Sequence, residues 1–213
     1  LSFILASKSQ ARLQTLRAAG IDPTVVVSEV DEDAVVAGVR GGASAQVLAL
    51  ATAKARAVFE RVLAGSGPTA DLILGCDSMF EFDAQIVGKP RSPEVARERL
   101  RAMRGHAGVL HTGHALLQGH TGSTLSAVSH ATVHVADMSD TEIDAYIEAG
   151  EPLWVAGSFT VDGLGGPFIE RVDGDYHGVV GLSLPLLRAM LANRGLSVTQ
   201  LWSKNLNPAA APA

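Results

Sequence analysis

The segment Ser7-Lys8-Ser9 separates an apolar run from an amphipathic one, and its residue types could bind a phosphate. Free backbone N–H groups and the positive end of the dipole attract anions to a helix N-terminus. The hydroxyl groups of Ser7 and Ser9 would add donors, and Arg12 follows one turn later. Two capping serines and a solvated arginine would give the same pattern, so this segment by itself leaves both interpretations open.

Asp77 follows an apolar run in the sequence Gly75-Cys76-Asp77-Ser78. We expect it at the point where a buried strand ends and its loop begins. A carboxylate in that position can bind a cation or accept a proton from water. The alternative is a turn aspartate that bonds to its own backbone.

Lys54 and Lys89 are two lysines whose sequence neighbours suggest that they are not ordinary surface residues. Lys54 is the only charged residue in the apolar stretch 47–55. A cation on the inner side of a helix needs an anionic partner. The alternative is that its side chain extends to solvent at the edge of the core. Lys89 stands between Gly88 and Pro90, which restrict the backbone on both sides of it. It could contact a phosphate as a point charge, or it could be a surface lysine at a turn.

Glu32 belongs to an acidic stretch, 29–33, that we expect to be a loop. Its carboxylate suits Mg²⁺ or Mn²⁺, although a solvated loop would have the same composition. His106, His111 and His114 lack the spacing of a zinc site. The chain also contains neither the glycine-rich phosphate loop G-x-x-x-x-G-K-[ST] nor the nucleophile motif G-x-S-x-G.

The composition limits the class of protein. The chain has 213 residues, 47% of them hydrophobic, and a net charge of −5 without a basic run. We therefore expect a substantial core, no binding of a nucleic acid polymer and no membrane span. The start, LSFILAS, is too short and uncharged for a signal peptide, and Cys76 is the only cysteine, so we expect a cytoplasmic protein.

The elements that would position these residues follow from hydrophobic periodicity and capping signals. Strands are predicted at 2–6, 24–27, 72–75, 79–82, 85–87, 109–117 and 124–135. Helices are predicted to begin at 7–9, at a Ser44 cap, at Ser92-Pro93, at a Ser139/Glu142 capping box and at 182. Because strands and helices do not alternate strictly, the pattern favours an α/β fold with a mixed sheet covered by helices. We predict one domain over 1–205 and a frayed tail over 206–213.

The order of the motifs is more specific than any one of them. The segments LASKSQAR, the DED loop, ATAKA, GCDSM, VGKP, GEPLWVAGSFTVDGLGG and VDGDYHGVVGLSLPLL resemble the Maf family, from Phe3 to about Leu196. That family comprises nucleoside triphosphate pyrophosphatases related in fold to the Ham1-type inosine triphosphatases. The resemblance implies a strongly twisted mixed sheet, flanked by helices, with two lobes around a central cleft.

The resemblance also implies roles for single residues. The catalytic aspartate of the family falls on Asp77, its metal-side glutamate on Glu32, and its two phosphate-binding lysines on Lys54 and Lys89. We therefore predict that Glu32 and Asp77 hold Mg²⁺ or Mn²⁺. Related proteins often form homodimers, so a homodimer is expected here.

The opening motif of the family, S-x-S-P-R-R, is matched by Ser7, Ser9 and Arg12, whereas Ala11 replaces its first arginine. Members acting on dTTP and UTP carry arginine, threonine and glutamine at the positions of Ala11, Ser78 and Asp162. Members acting on 7-methyl-GTP carry a tryptophan where this chain has Ala11. The three positions are possible determinants of base choice, and the resemblance assigns neither subtype.

The predicted reaction is hydrolysis of (deoxy)nucleoside triphosphates, modified ones included, to the monophosphate and pyrophosphate. One alternative is a nucleotide-binding regulator of septum formation in cell division that has little or no turnover. The other is a phosphatase that removes the terminal phosphate.

Overall fold

The computed structural model of the protein describes residues 1–203. In this range the strands are β1 (Phe3–Leu5), β2 (Thr24–Val25), β3 (Leu72–Phe82), β4 (Gln85–Val87), β5 (Ala107–Gln118), β6 (Thr124–Val135) and β7 (Ile169–Gly174). The α-helices are α1 (Gln10–Ala18), α2 (Glu32–Ala37), α3 (Ala43–Leu63), α4 (Pro93–Met103), α5 (Asp140–Glu148), α6 (Tyr176–Val180) and α7 (Leu184–Ala192). The predicted domain end at 205 and the predicted tail 206–213 lie outside the described residues.

The strands form one mixed sheet in the order β2-β1-β3-β5-β6-β7, with β4 paired to β3. β1 runs parallel to both of its neighbours, whereas the other pairs are antiparallel. The prediction of a mixed sheet flanked by helices is confirmed. None of the helices in the described range is long and apolar enough to cross a bilayer.

β3 is longer than its sequence pattern suggests. We predicted separate strands at 72–75 and 79–82, with Asp77 where the first one ends, and that prediction is wrong. β5 pairs with β3 without interruption from Leu72 to Glu81, which keeps the backbone extended through Asp77. On its other side β3 pairs with β1 only at 72–74 and with β4 only at 80–82. We call the intervening segment, residues 75–79, the open edge of β3.

The long helix α3 covers one face of this sheet at very short range. A Cβ added to Gly75 would lie 2.1 Å from the carbonyl oxygen of Ala51, and one added to Gly113 would lie 2.3 Å from that of Val47. Glycine on the strands is therefore what allows the backbones of helix and sheet to approach each other. Small residues of the helix complete the contact, since Ala51 and Ala55 of α3 are fully buried against the sheet.

Apolar residues form clusters toward the two ends of the long strands. One cluster, with Leu16, Leu74 and Leu187, packs α1 and α7 against the β1 end of the sheet. Another, with Phe80 and Leu100, packs α4 and α5 near the β4 end. These clusters are the cores of two lobes that share β3 and β5, and the open edge of β3 lies between them.

Several helix ends match their sequence signals. Ser9 caps α1, Ser92 and Pro93 begin α4, and Ser139 forms a capping box with Glu142 at the start of α5. These caps satisfy backbone N–H groups that a helix leaves without internal partners.

Two predictions about helix starts were wrong. Gly42, not Ser44, precedes α3, and Ser44 Oγ lies 2.9 Å from both His111 Nδ1 and His130 Nε2. The stretch expected to be an acidic loop contains the short helix α2, which begins at Glu32 and is capped by Asp31. Ser44 bonds to histidines of the sheet instead of capping the helix, whereas Asp31 caps a helix that was not predicted.

Candidate active site

A cavity of about 1050 Å³ opens at the open edge of β3. That volume lies near the upper end of the roughly 300–1,000 Å³ typical of ligand pockets. It is lined by every residue singled out from the sequence as a candidate: Ser7, Ser9, Ala11, Arg12, Glu32, Lys54, Asp77, Ser78, Lys89 and Asp162. The fold thus brings ten positions, spread over most of the chain, to one space between the lobes.

Lys54 joins two of the acidic residues that line the cavity, Glu32 and Asp77. Its Nζ lies 2.5 Å from Asp77 Oδ1 and 2.7 Å from Glu32 Oε1. Because both oxygens contact the same nitrogen, they can be no farther apart than the sum of those two distances. Lys54 and Asp77 are buried, at 7% and 9% exposure, so the lysine is paired within the protein rather than extended into solvent.

Several lysines affect the pKa of Glu32. Burial raises the pKa of its carboxyl group, but the hydrogen bond and charge of Lys54, with the charges of Lys89 and Lys8, outweigh that effect and lower it. Glu32 is therefore a carboxylate at neutral pH. Lys8, which the sequence reasoning did not single out, also lines the cavity. Its position between two serines gave no signal of the direction in which it points.

Arg12 lies on the other side of the cavity and is buried, with 8% exposure. Its Nε donates to the Gly181 carbonyl oxygen at 2.8 Å. Its Nη1 donates to Ser7 Oγ at 3.2 Å, and its Nη2 to Ser78 Oγ at 3.1 Å. All three acceptors are neutral, and no carboxylate in residues 1–203 forms an ion pair with Arg12. A buried cation without a counter-ion is well suited to an anion that enters the cavity.

Ser7 and Ser9 make local hydrogen bonds at the start of α1 and also line the cavity. Ser9 Oγ accepts from the backbone N–H of Arg12 at 3.4 Å, and Ser7 Oγ accepts from the N–H of Ser9 at 3.2 Å. An accepting hydroxyl keeps its own proton for donation, so capping does not prevent contact with an anion. The two sequence interpretations of this segment are therefore compatible.

The three positions singled out for base choice differ in their surroundings. Ser78 is held by Arg12 and by Thr112, whose Oγ1 lies 2.9 Å from Ser78 Oγ. Ala11 and the exposed Asp162 border both the main cavity and a smaller one of about 340 Å³. The two cavities are therefore neighbours at Ala11, whose side chain is only a methyl group.

Other residues in and near the cavity were not identified from the sequence. Arg91 lines the cavity with a left-handed backbone, φ 61°. Gly181 also lines it and accepts from Arg12, and the buried Thr112 bonds to Ser78, the other neighbour of Arg12. Arg91 follows Lys89-Pro90, so its closeness to that motif was the one available signal. The roles of Thr112 and Gly181 depend on contacts between distant segments, for which a single sequence gives no pattern.

The carboxylates of Asp77 and Glu32 are the type of ligand that Mg²⁺ and Mn²⁺ prefer. Among the described residues, no group of three or more His, Cys, Asp or Glu side chains could hold a metal ion. Two carboxylates suffice for Mg²⁺, which usually keeps several waters and takes further oxygens from substrate phosphates. The residues present therefore fit an ion held jointly with a phosphorylated substrate.

The arrangement can neutralise and orient a polyphosphate chain while a carboxylate faces it. Comparisons with known proteins identify the family of the chain. The family described as Maf-like protein matches residues 2–194. A protein of Salinispora tropica, named nucleoside triphosphate pyrophosphatase, is 51% identical over 212 residues, covering 100% of this chain and 92% of its own length. Proteins of the same name from Saccharopolyspora erythraea and Leifsonia xyli are 50% and 49% identical, and each alignment covers 94% of this chain and 96% of the relative. The chain belongs to the Maf family.

Proposed function

We propose that this protein is a nucleoside triphosphate pyrophosphatase that converts (deoxy)nucleoside triphosphates, modified ones included, to the monophosphate and pyrophosphate. The observation that carries the proposal is the shared cavity. It is lined both by a buried arginine, which has no counter-ion within residues 1–203, and by a lysine that joins two carboxylates. The name of the relatives supports the same reaction.

The phosphate chain is bound by the basic residues of the cavity. Arg12, Lys54 and Lys89, with the N–H groups near Ser7 and Ser9, contact its oxygens. Each charge-assisted contact of this kind contributes about 1.5–3 kcal/mol. Binding along the open edge of β3 places the α-phosphate toward Asp77.

Asp77 orients or deprotonates the attacking water. Its Oδ1 bonds to Lys54, whereas Oδ2 makes no hydrogen bond within residues 1–203 and can accept a proton. Attack of that water on the α-phosphorus forms the P–O bond of the monophosphate and breaks the bond to the β-phosphate, so that pyrophosphate leaves. No covalent bond to the protein forms, and positioning and charge neutralisation supply most of the rate.

Glu32 and Asp77 are the residues that would hold Mg²⁺ or Mn²⁺. When bound, such an ion supplies positive charge against the phosphate oxygens and lowers the energy of the charge that develops during transfer. Ala11, Ser78 and Asp162 are proposed as determinants of base choice, since all three line the cavity.

A panel of nucleotides, assayed with Mg²⁺, with Mn²⁺ and with a chelator, tests the proposal through its products. Monophosphate and pyrophosphate in equal amounts are expected. Diphosphate and phosphate would instead indicate a terminal phosphatase, and tight binding without turnover would indicate a regulator of septum formation. The Asp77→Asn variant serves as the control for contaminating activity.

The setting of the enzyme is also a proposal. We expect a cytoplasmic homodimer that acts on small nucleotides and not on nucleic acid polymers or membranes. Burial raises the pKa of the Cys76 thiol to about 12, which makes it inert and is compatible with a reducing compartment. Sedimentation velocity measures the assembly state, and a monomer at micromolar concentration would contradict the dimer.

A further inference from the structure

Two polar residues of β5 hold the segment 178–183, which comprises the end of α6 and its connection to α7. Thr112 Oγ1 donates to the Gly178 carbonyl oxygen at 2.8 Å, near the start of this segment. His114 Nε2 accepts from the backbone N–H of Ser183 at 2.9 Å, at its end. His114 does not line the cavity, and it is fully buried.

The hydrogen bonds of His114 select one tautomer. Its Nδ1 lies 3.0 Å from the carbonyl oxygen of Thr112, which can only accept, so Nδ1 carries the proton. Nε2 is then a bare acceptor, as the N–H of Ser183 requires. The neutral ring therefore satisfies a backbone donor that has no access to water, since Ser183 is 2% exposed.

The segment held in this way carries the main support of Arg12. The carbonyl oxygen of Gly181, two residues before Ser183, accepts from Arg12 Nε. Gly181 has a φ of 128°, and a Cβ there would lie 3.4 Å from Arg12 Nε, so its conformation is specific to glycine. Thr112 provides a second connection through Ser78, which accepts from Arg12 Nη2.

We propose that His114 is a positioning residue for the reaction: through Ser183 it fixes the Gly181 carbonyl and thereby aims the Arg12 guanidinium into the cavity. This inference rests on the proposed function, because it assigns Arg12 a role in binding the triphosphate. The competing explanation is that His114 only stabilises the fold. The two explanations differ in whether the effect of His114 depends on Arg12.

The first test replaces the acceptor. In His114→Leu the Ser183 N–H loses its partner, the segment shifts, and Arg12 is misaligned. We expect kcat/KM for the preferred triphosphate to fall about tenfold, less than the roughly hundredfold that a 1 Å misplacement can cause. His114→Gln, whose side-chain oxygen can accept from Ser183, should recover most of that loss.

His111→Leu is the matched control. His111 is also a buried histidine of β5, at 9% exposure, but it lies on the opposite face and contacts Ser44 and His130. We expect it to lower the melting temperature while leaving kcat/KM within about twofold of wild type, as for a substitution outside the site. An equal fall of kcat/KM in both histidine variants would make the effect a general loss of stability.

The decisive measurement is a cycle with Arg12→Lys, which removes the Nε donor that bonds to Gly181 and the planar guanidinium group that this bond orients. If His114 acts through Arg12, His114→Leu lowers kcat/KM in the wild-type background but hardly at all beside Arg12→Lys. The same fold-change in both backgrounds would overturn the inference and leave the proposed function intact. If the wild-type chain releases no pyrophosphate, the proposed function fails, and the cycle is measured instead as the Kd of an α,β-methylene nucleoside triphosphate. Absence of binding by the wild-type chain would overturn both.

Discussion

At Asp77 the two carboxylate oxygens have different surroundings. One is bonded to the buried ammonium group of Lys54, and the other makes no hydrogen bond within residues 1–203. The ion pair fixes the orientation of the side chain, while the second oxygen is left for contact with an attacking water. This division suits a group that must be both anchored and reactive.

Asp77→Asn should lower kcat by about 10²–10⁴, the range for loss of a general base. The shape of the side chain is retained, and Glu32 still pairs with Lys54, so the lysine keeps a counter-ion. Turnover and the melting temperature should be measured on the same preparation. Turnover close to that of wild type would refute the role of Asp77.

The two lysines should differ when replaced by alanine. Lys89 is exposed, so Lys89→Ala should lower kcat/KM by about one to two decades with a change in stability below about 0.5 kcal/mol. Lys54→Ala leaves two carboxylates facing each other without their shared cation, so about 3–5 kcal/mol of stability should be lost as well.

Saturation kinetics and chemical denaturation measure the two effects of the lysine variants separately. Lys89→Arg, which keeps the charge, is the control for the exposed site. Equal stability losses in Lys54→Ala and Lys89→Ala would contradict the buried pairing.

At this scale the sequence predicted the identity of the residues but not their contacts. Asp77, Lys54 and Lys89 each stood out as a polar residue in an unusual setting. That Lys54 bonds to Asp77, 23 positions away, depends on the packing of α3 on β3. Such long-range pairing has no local signal, which is also why Lys8 and Thr112 were missed.

At the scale of elements, the contact between α3 and β3 determines the geometry of the acidic pair. The helix lies so close that glycine is required at residue 75, beneath Ala51. Lys54 reaches Asp77 because this contact determines the distance between the helix and the strand. The strand patterns predicted β6 with its bounds, because alternating buried and exposed residues mark one face. They failed at β3, whose residues 72–77 are all buried and show no alternation.

Gly75→Ala should therefore damage both the fold and the site. The new methyl group would meet the Ala51 carbonyl at 2.1 Å, a backbone atom that can move only with the helix. We expect a loss of about 3 kcal/mol in the free energy of unfolding, as for a severe case of overpacking. Activity should also fall, because Lys54 moves away from Asp77.

Gly67→Ala is the matched control for Gly75→Ala. Its nearest contact for a Cβ is 3.8 Å, and the residue lies in a loop. Denaturant unfolding of the two variants should separate them clearly. If Gly75→Ala were as stable as Gly67→Ala, the close packing of α3 would not hold in solution.

At the scale of the whole molecule, the buried histidine links stability to pH. Burial lowers the pKa of His114 to about 4, from an ordinary value of 6.5. Between pH 4 and pH 6.5 this histidine is protonated in the unfolded chain but neutral in the folded chain. The free energy of unfolding therefore decreases as the pH falls from 6.5 to 4, and this contribution levels off below 4.

The size of this effect is about 3 kcal/mol, since one pKa unit corresponds to about 1.36 kcal/mol. Carboxyl groups titrate in the same range, so we expect the effect as a difference between two curves. Wild type and His114→Gln are compared by urea denaturation at pH 7 and pH 4.5. Parallel curves would mean that His114 is protonated as easily in the folded state as in the unfolded one.

The class of fold followed from the irregular order of strands and helices, whereas the cavity did not follow from local patterns. Its position depends on the shortness of β1 and β4, which leave part of β3 without a partner on one side. The bounds of β4 were predicted correctly, whereas β1 is shorter than the predicted 2–6, because its ends are set by the strands that pair with it. The cleft was predicted only from the order of the motifs, which resembles that of a known family. Secondary-structure propensities alone did not predict it.

The continuity of β3 has a consequence for how the site can fail. Asp77 and Ser78 are consecutive, so their side chains lie on opposite faces of the strand, one toward Lys54 and the other toward Arg12. A slip of one residue against β5 would turn each of them to the wrong side. The acidic and the basic halves would then be lost in a single event, so a misregistered molecule would be inert, not merely slow.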